Sequence, residues 1–296
     1  MSERDLDVNP GQFLEMSREN PGPITAEPPR KEPNPWINLL LFVLTAGTTT
    51  LAWGPSYSVP LLTILLAHEF GHYFLARKHH VKATLPYFIP APPFFLLGTF
   101  GALIKIRSPF YDRRALLDVG AAGPLAGAIV AIPVTLVGLY LSEVKPIPPH
   151  TPLYSFGSSL LFSLLSQIAV GTLPEGYDIF LHPMALAGWA GLLVTSLNLI
   201  PVGQLDGGHI AYAMFGGERQ KKLLYVILPL LLILGIWGWP GWFLWVGLLV
   251  LMIRMGHPPP INPYVPLDRT RRILGWISFV LFILTFTPDP LAIIGF

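Results

Sequence analysis

The chain contains no cysteine among its 296 residues, so it can form no disulfide bond and offers no thiolate to a metal. Charged residues are also scarce, at 12% of the sequence, whereas hydrophobic residues make up 52% and the mean hydropathy is +0.55. This balance excludes an ordinary soluble domain and favours a protein that crosses a membrane several times. The small net charge of +2 provides no basic surface for nucleic acid, and we expect no such partner.

Apolar runs long enough to approach the roughly 20 residues that a helix needs to cross a bilayer recur along the chain. They predict seven transmembrane helices, near residues 36–54, 58–77, 115–141, 184–202, 222–237, 240–254 and 272–287. An eighth apolar run, residues 155–170, is shorter and precedes an acidic stretch. The predicted fold class is an all-α polytopic membrane protein, and its topology depends on whether this eighth run crosses.

A five-residue motif, HEFGH at residues 68–72, lies inside the second predicted span. Because residues four apart share one face of an α-helix, His68 and His72 can present ring nitrogens to one metal ion, with Glu69 beside them as a base for water. Such a match also arises by chance in soluble helices. In a membrane helix, however, an unpaired Glu costs about 3 kcal/mol, so a metal site that activates water within the bilayer is the favoured interpretation.

A third ligand must lie at the same depth and on the same side of the membrane as the two histidines. Asp206 is the candidate, because it closes an apolar segment and is followed by two glycines that allow close backbone approach. The alternative role is a helix-capping aspartate. Asp206 reaches the histidine side only if the run 155–170 does not cross, so we interpret that run as re-entrant or interfacial.

The distribution of positive charge supports the same topology. With seven spans and a cytoplasmic N-terminus, 18 of the 19 Lys and Arg residues lie on the inner side, and only Lys145 lies outside. Residues 98–106 (GTFGALIKI) combine glycines with β-branched and aliphatic residues, which predicts a short β-strand or hairpin near the inner surface, with an ordinary loop as the alternative.

Two motifs, HEFGH at 68–72 and NLIPVGQLDGG at 198–208, together resemble the site-2 protease family of intramembrane metalloproteases. The segments GTFGALIKIRSPFYDRRALLDVGAAGPLAG and HPMALAGWAGLLVTSLN also resemble its plastid and cyanobacterial members without a PDZ domain, so the likeness covers residues 58–216. The resemblance implies a zinc ion held by His68, His72 and Asp206, with Glu69 as general base and acid in peptide-bond hydrolysis.

Further roles follow from the same resemblance. Asn198, eight residues before Asp206, would lie about two turns away on the same helix face and could steady an oxyanion or the substrate backbone. Its alternative role is a hydrogen bond to a neighbouring helix. The predicted strand could bind an unwound substrate segment by main-chain hydrogen bonds, with Gly98 and Gly101 permitting close approach.

The predicted organisation has three parts. Residues 1–35, polar and rich in proline, form a disordered cytoplasmic N-terminal tail; residues 36–216 form the catalytic membrane core; and residues 217–296 form C-terminal transmembrane helices. The tail lacks the features of a transit peptide, so we expect a multi-pass protein of a cell inner membrane. Its partners would be the lipid bilayer and a transmembrane protein substrate.

A different class, a zinc or proton-coupled membrane transporter, also places His and Asp residues within the membrane. The chain shows no internal repeat of the kind that transporters contain, and transport gives no reason for a glutamate directly after the first histidine. The peptidase interpretation is therefore favoured over the transporter.

Overall fold

The computed structural model describes residues 34–92, 95–148, 153–255 and 259–294, and the predicted N-terminal tail, up to residue 33, lies outside these ranges. The described residues are mostly helical. They form nine helices: α1 (Pro35–Trp53), α2 (Pro55–Lys78), α3 (Arg113–Tyr140), α4 (Leu160–Ala169), α5 (Pro183–Asn198), α6 (Asp206–Phe215), α7 (Gly217–Trp237), α8 (Gly241–Met255) and α9 (Arg269–Thr285).

Six short strands pair into three two-stranded antiparallel sheets among the described residues. They are β1 (Tyr87–Pro90) with β2 (Thr99–Leu103), β3 (Glu143–Pro146) with β5 (Tyr177–Phe180), and β4 (Leu153–Phe156) with β6 (Leu291–Ile294). Strand β2 falls within the stretch 98–106 and pairs with β1, which confirms the predicted short strand and excludes an ordinary loop there. The fold is therefore helical with small sheets, and not purely α.

Each of the seven predicted spans coincides with a helix. Among the described residues, four helices (α1, α2, α3 and α7) are long and apolar enough to cross a membrane. Helices α5, α8 and α9 are shorter, with 16, 15 and 17 residues. Helix α4 has ten residues. At 1.5 Å per residue it extends about 15 Å, half the hydrocarbon thickness, so it is too short to cross, in agreement with the prediction for 155–170.

The helices α2, α3 and α5 pack against one another through small residues. A Cβ added at Gly138 of α3 would lie 2.2 Å from the backbone nitrogen of Ala185 in α5, and one at Gly188 of α5 would lie 2.2 Å from the Thr135 hydroxyl of α3. Only glycine allows the backbones to approach this closely, which is how membrane helices gain van der Waals contact. This three-helix core carries the candidate site at one end.

The segment between Asn198 and Asp206 differs from the sequence prediction. We predicted one helix through both residues, but α5 ends at Asn198 and α6 begins at Asp206. Pro201 disfavours helical conformation in the residue before it, and Gly203 adopts a positive φ of 62°, so the chain turns between the two helices. The two side chains therefore do not share one helix face.

Candidate metal centre

Helix α2 carries the HEFGH motif deep within the protein. His68, Glu69 and His72 are 3%, 4% and 6% exposed. The basic residues Arg77 and Lys78 end the helix, so His72 lies six residues, or about 9 Å, from its charged terminus. The motif therefore lies nearly two helical turns from the basic end of α2.

Asp206 brings its carboxylate to both histidines. The Asp206 Oδ2 atom lies 3.2 Å from His68 Nε2 and 3.2 Å from His72 Nε2, and all three ligand atoms lie within 4.8 Å of one another. Neighbouring ligands of a tetrahedral zinc ion with bonds near 2.0 Å are separated by about 3.3 Å. The donor set and its spacing therefore suit one zinc ion.

The position of Asp206 excludes the alternative role as a helix cap. Leu205 occupies the N-cap of α6, and Asp206 is the first residue of the helix proper. The two following glycines allow the tight turn that aims Asp206 at α2. A Cβ at Gly207 would lie 2.0 Å from the Leu199 carbonyl oxygen, and one at Gly208 would lie 2.4 Å from the Gly203 carbonyl oxygen. The predicted close backbone approach at these glycines is confirmed.

A backbone carbonyl orients the second histidine. His72 Nδ1 lies 2.7 Å from the Val119 carbonyl oxygen of α3, an atom that can only accept. The imidazole therefore carries its proton on Nδ1, which leaves Nε2 free to bind a metal. This outer contact has no signature in the sequence, because every residue type supplies the same carbonyl.

Two glycines of α3, Gly123 and Gly127, make room for the two imidazoles, and a third, Gly120, makes room for α6. A Cβ at Gly123 would lie 2.0 Å from His72 Nε2, one at Gly127 would lie 3.2 Å from His68 Nδ1, and one at Gly120 would lie 3.0 Å from His209 Cβ. The motif GAAGPLAGA at 120–128 is typical of a tight helix contact, and here that contact surrounds the metal ligands.

Glu69 and Asn198 stand beside the ligand atoms. Glu69 faces the backbone amide of Ile104, which directly follows β2 in the chain. Asn198 Nδ2 lies 3.3 Å from His68 Nε2. Asn198 thus lies beside the candidate ligands at the end of α5, and not on a helix face shared with Asp206.

Two cavities meet at Glu69. One, of about 320 Å³, is lined by the three candidate ligands together with Ile104, Asn198 and His209. The other, of about 450 Å³, is mainly apolar and extends from His68 and Glu69 between β2, α5 and α8. An apolar passage of this kind suits the side chains of a hydrophobic peptide segment better than small polar molecules.

The two predicted substrate-contacting glycines lie in different surroundings. Gly98 has a φ of +68°, and a Cβ there would lie 2.8 Å from Thr49 Cα, so this glycine packs against α1. Gly101, with a φ of +96°, has nothing within 4 Å of its Cβ position and lines the apolar cavity. Within the described residues β2 pairs only with β1, so Gly101 lies in a strand with a second edge available.

The model of peptidase family M50 matches residues 56–235, which contain the whole ligand set. The chain belongs to this family. It is 34% identical over 280 residues to the probable zinc metalloprotease EGY1, chloroplastic, of Arabidopsis thaliana, covering 91% of this chain and 47% of the relative. It is 36% identical over 275 residues to EGY1 of Oryza sativa subsp. japonica, covering 90% and 45%.

A third plant relative shows a similar degree of identity and coverage. The probable zinc metalloprotease EGY2, chloroplastic, of Arabidopsis thaliana is 31% identical over 234 residues, which cover 78% of this chain and 41% of the relative. The chain thus spans about half the length of the curated relatives it matches. The similarity to the site-2 protease family, to which the sequence motifs pointed, is confirmed.

Substituting Gly123 tests whether α3 shapes the centre. In Gly123→Ala the added methyl group would overlap the His72 ring, so the imidazole must move and we expect zinc affinity to fall about 10- to 100-fold. Zinc content after dialysis against a chelator, with helix content from circular dichroism, measures the effect. Gly47→Ala, where the methyl group meets nothing within 4 Å, is the control. Zinc retention equal to wild type in Gly123→Ala would contradict the assignment.

Proposed function

We propose that this chain is an intramembrane zinc metalloprotease that hydrolyses peptide bonds of transmembrane protein substrates near the cytoplasmic side of the bilayer, in regulated intramembrane proteolysis. The observation that carries the proposal is the convergence of His68, His72 and Asp206 within 4.8 Å below the helix terminus, with Glu69 beside them. Membership of peptidase family M50 and the names of the zinc metalloprotease relatives support it.

The proposed chemistry divides between the ion and the chain. Zinc, when bound by His68, His72 and Asp206, supplies Lewis-acid polarisation of the scissile carbonyl and of the attacking water. Glu69 accepts a proton from that water as it attacks, and returns a proton to the amine nitrogen as the peptide bond breaks. Burial of Glu69 excludes bulk water, so the carboxylate and the peptide meet in a site of low polarity.

Asn198 is proposed to act on the substrate and not on the metal. Its amide nitrogen is a hydrogen-bond donor close to His68 Nε2, so it can donate to negative charge that develops on the carbonyl oxygen of the scissile bond. A donor already held in place needs no reorganisation during the reaction. Donation to the substrate oxygen distinguishes this role of Asn198 from that of an asparagine that only forms a hydrogen bond between two helices.

The substrate is proposed to enter as an extended segment through the apolar cavity. A transmembrane helix must lose its internal hydrogen bonds before a peptide bond can be attacked, and unpaired amides in the membrane are costly. The second edge of β2 can replace those hydrogen bonds, and Gly101 leaves space above the strand. Phe100, which is 57% exposed and lines the same cavity, can contact apolar substrate side chains.

The proposed topology has seven membrane crossings, and α4 is re-entrant or interfacial. The protein lies in the inner membrane of the cell, with its N-terminus in the cytoplasm. Helices α5, α8 and α9 are shorter than the bilayer, so the loops at their ends must enter the membrane. The backbone groups of those loops must then be buried in protein. The curated relatives are named chloroplastic, so a chloroplast membrane is the alternative setting for this topology.

The Glu69 variant separates proteolysis from metal binding. We expect Glu69→Gln to lower cleavage of a transmembrane reporter in proteoliposomes by at least about 100-fold, because the proton acceptor is lost, while zinc is retained. His68→Ala and Asp206→Ala should lose both zinc and cleavage. A chain that transports zinc or protons would instead show altered flux and no cleavage product in any variant, which would contradict the proposal.

The Asn198 variant tests oxyanion stabilisation. We expect Asn198→Ala to lower kcat about 100-fold with zinc retained and KM little changed. The control is Ser196→Ala on the same helix, since the Ser196 hydroxyl is buried without a hydrogen-bond partner in the described part of the chain. Loss of thermal stability with unchanged kcat in Asn198→Ala would assign it a purely structural role.

The absence of cysteine makes the orientation directly measurable. We expect Glu218→Cys to react with a membrane-impermeant maleimide only from the cytoplasmic side, and Glu143→Cys only from the opposite side, because both side chains are largely exposed. Labelling of both positions from the same side would contradict the seven-span topology.

A further inference from the structure

Asp118 forms a partly buried ion network close to the candidate metal centre. It precedes Val119, whose carbonyl oxygen accepts the proton of His72 Nδ1, and its side chain is only 12% exposed. The Asp118 carboxylate accepts a hydrogen bond from His79 Nε2 at 2.8 Å. It also accepts two from Arg271, one from Nε at 2.9 Å and one from a terminal guanidinium nitrogen at 2.6 Å. A carboxylate held on both sides in this way has little freedom to move.

The three residues of this network come from three separate helices. Asp118 is on α3, His79 caps the C-terminus of α2, and Arg271 lies in the first turn of α9. His79 is seven residues, or about 10 Å, beyond His72 on the same helix axis. The contact between Asp118 and His79 therefore sets the register of α3 against α2 two turns from the ligand, and this register determines where the Val119 carbonyl lies.

Arg271 is itself held in place from its own helix. Asp268, the N-cap of α9, accepts a hydrogen bond from the Arg271 amide at 2.9 Å and forms an ion pair with the Arg271 side chain. Both contacts, the amide first, hold the pKa of Asp268 below its usual value. The guanidinium thus bridges two carboxylates, and its planar shape suits the two bonds to Asp118.

Helix α9 lies beyond residue 235, where the match to the peptidase family ends. We propose that Asp118 and Arg271 are positioning residues through which α9 holds the Val119 carbonyl against His72. Helix α9 would then contribute to the zinc affinity of the centre. The inference rests on the proposed zinc site and goes beyond it, because neither residue touches the ion. Outer contacts to ligating histidines of this type typically change metal affinity about 10- to 100-fold.

Zinc affinity of the whole 296-residue chain in detergent, measured by competition with a chelator, tests the proposal. We expect Asp118→Asn and Arg271→Gln each to weaken zinc binding about 10- to 100-fold, and Arg271→Lys, which keeps the charge but loses the planar fork, to weaken it less. The double variant Asp118→Asn, Arg271→Gln should be no weaker than the single variants, since both remove the same contact.

Arg114→Gln is the matched control. Arg114 lies in the first turn of α3 and joins it to the segment before α9 through a hydrogen bond to the Pro266 carbonyl oxygen at 2.9 Å. Its charge acts on Asp268, but none of its described hydrogen bonds goes to Asp118 or Arg271. If the network acts on the centre, Arg114→Gln should keep zinc affinity within about threefold of wild type. A merely structural loosening of the C-terminal segment would weaken Arg114→Gln and Arg271→Gln alike.

The outcomes separate the two proposals. Wild-type protein that binds no zinc would overturn the proposed function. Wild-type protein that binds zinc, with an Asp118→Asn variant of equal affinity, would overturn only the present inference, as would equal effects of Arg114→Gln and Arg271→Gln. If Asp118→Asn does not fold, the graded series of Arg271 variants decides; if those also fail to fold, the network holds the fold and not the centre, and the inference is wrong.

Discussion

The hydrogen bond between His72 Nδ1 and the Val119 carbonyl is the contact on which the centre depends, because it joins the helix that carries the motif to the helix that shapes it. It requires α2 and α3 to approach within the distance that glycine alone permits. A Cβ at Gly71 of α2 would lie 2.6 Å from the Ala122 carbonyl oxygen, and one at Gly123 would overlap the His72 ring. In a bilayer such close contact supplies the packing energy that the hydrophobic effect does not, so the same glycines stabilise the helix pair and form the site.

The third candidate ligand, Asp206, must be brought from a distant part of the chain to the level of the two histidines. The chain does so by ending α5 early and turning through residues 199–205. Gln220 of α7 is 3% exposed and donates to the Gly203 carbonyl oxygen at 3.2 Å, which satisfies a backbone acceptor that the turn leaves outside any helix. Irregular backbone at this depth is stable because protein surrounds it, and the start of α6 then aims Asp206 at the imidazoles.

Much of this arrangement could be predicted from the sequence, since strong local patterns carry it. Apolar runs marked every helix that the seven-span prediction required, and the spacing of His68 and His72 indicated one shared face. The break at Pro201 was missed, because the apolar run continues through it and hydropathy outweighed the proline in our prediction. The Val119 carbonyl and the Ile104 amide were beyond prediction, because backbone groups carry no residue identity. Asp118 was also missed, since its meaning depends on a contact with Arg271, 153 residues away.

The position of the β1–β2 hairpin explains how the proposed site would bind a metal ion and remain open to a peptide. The α2 face that carries His68 and His72 is covered by α3 and α6, which leaves Glu69, one residue further around the helix, facing β2 and the apolar cavity. In an α-helix adjacent residues differ by about 100° in direction, so ligands and base necessarily point to different neighbours. The ligand side is bounded mainly by helices that satisfy their own hydrogen bonds, whereas the base side is bounded by a strand with one edge unpaired within the described residues. The HExxH spacing on α2 therefore directs the candidate ligands and the proposed base toward different walls, with helices beside the proposed ion and a strand edge beside the proposed substrate.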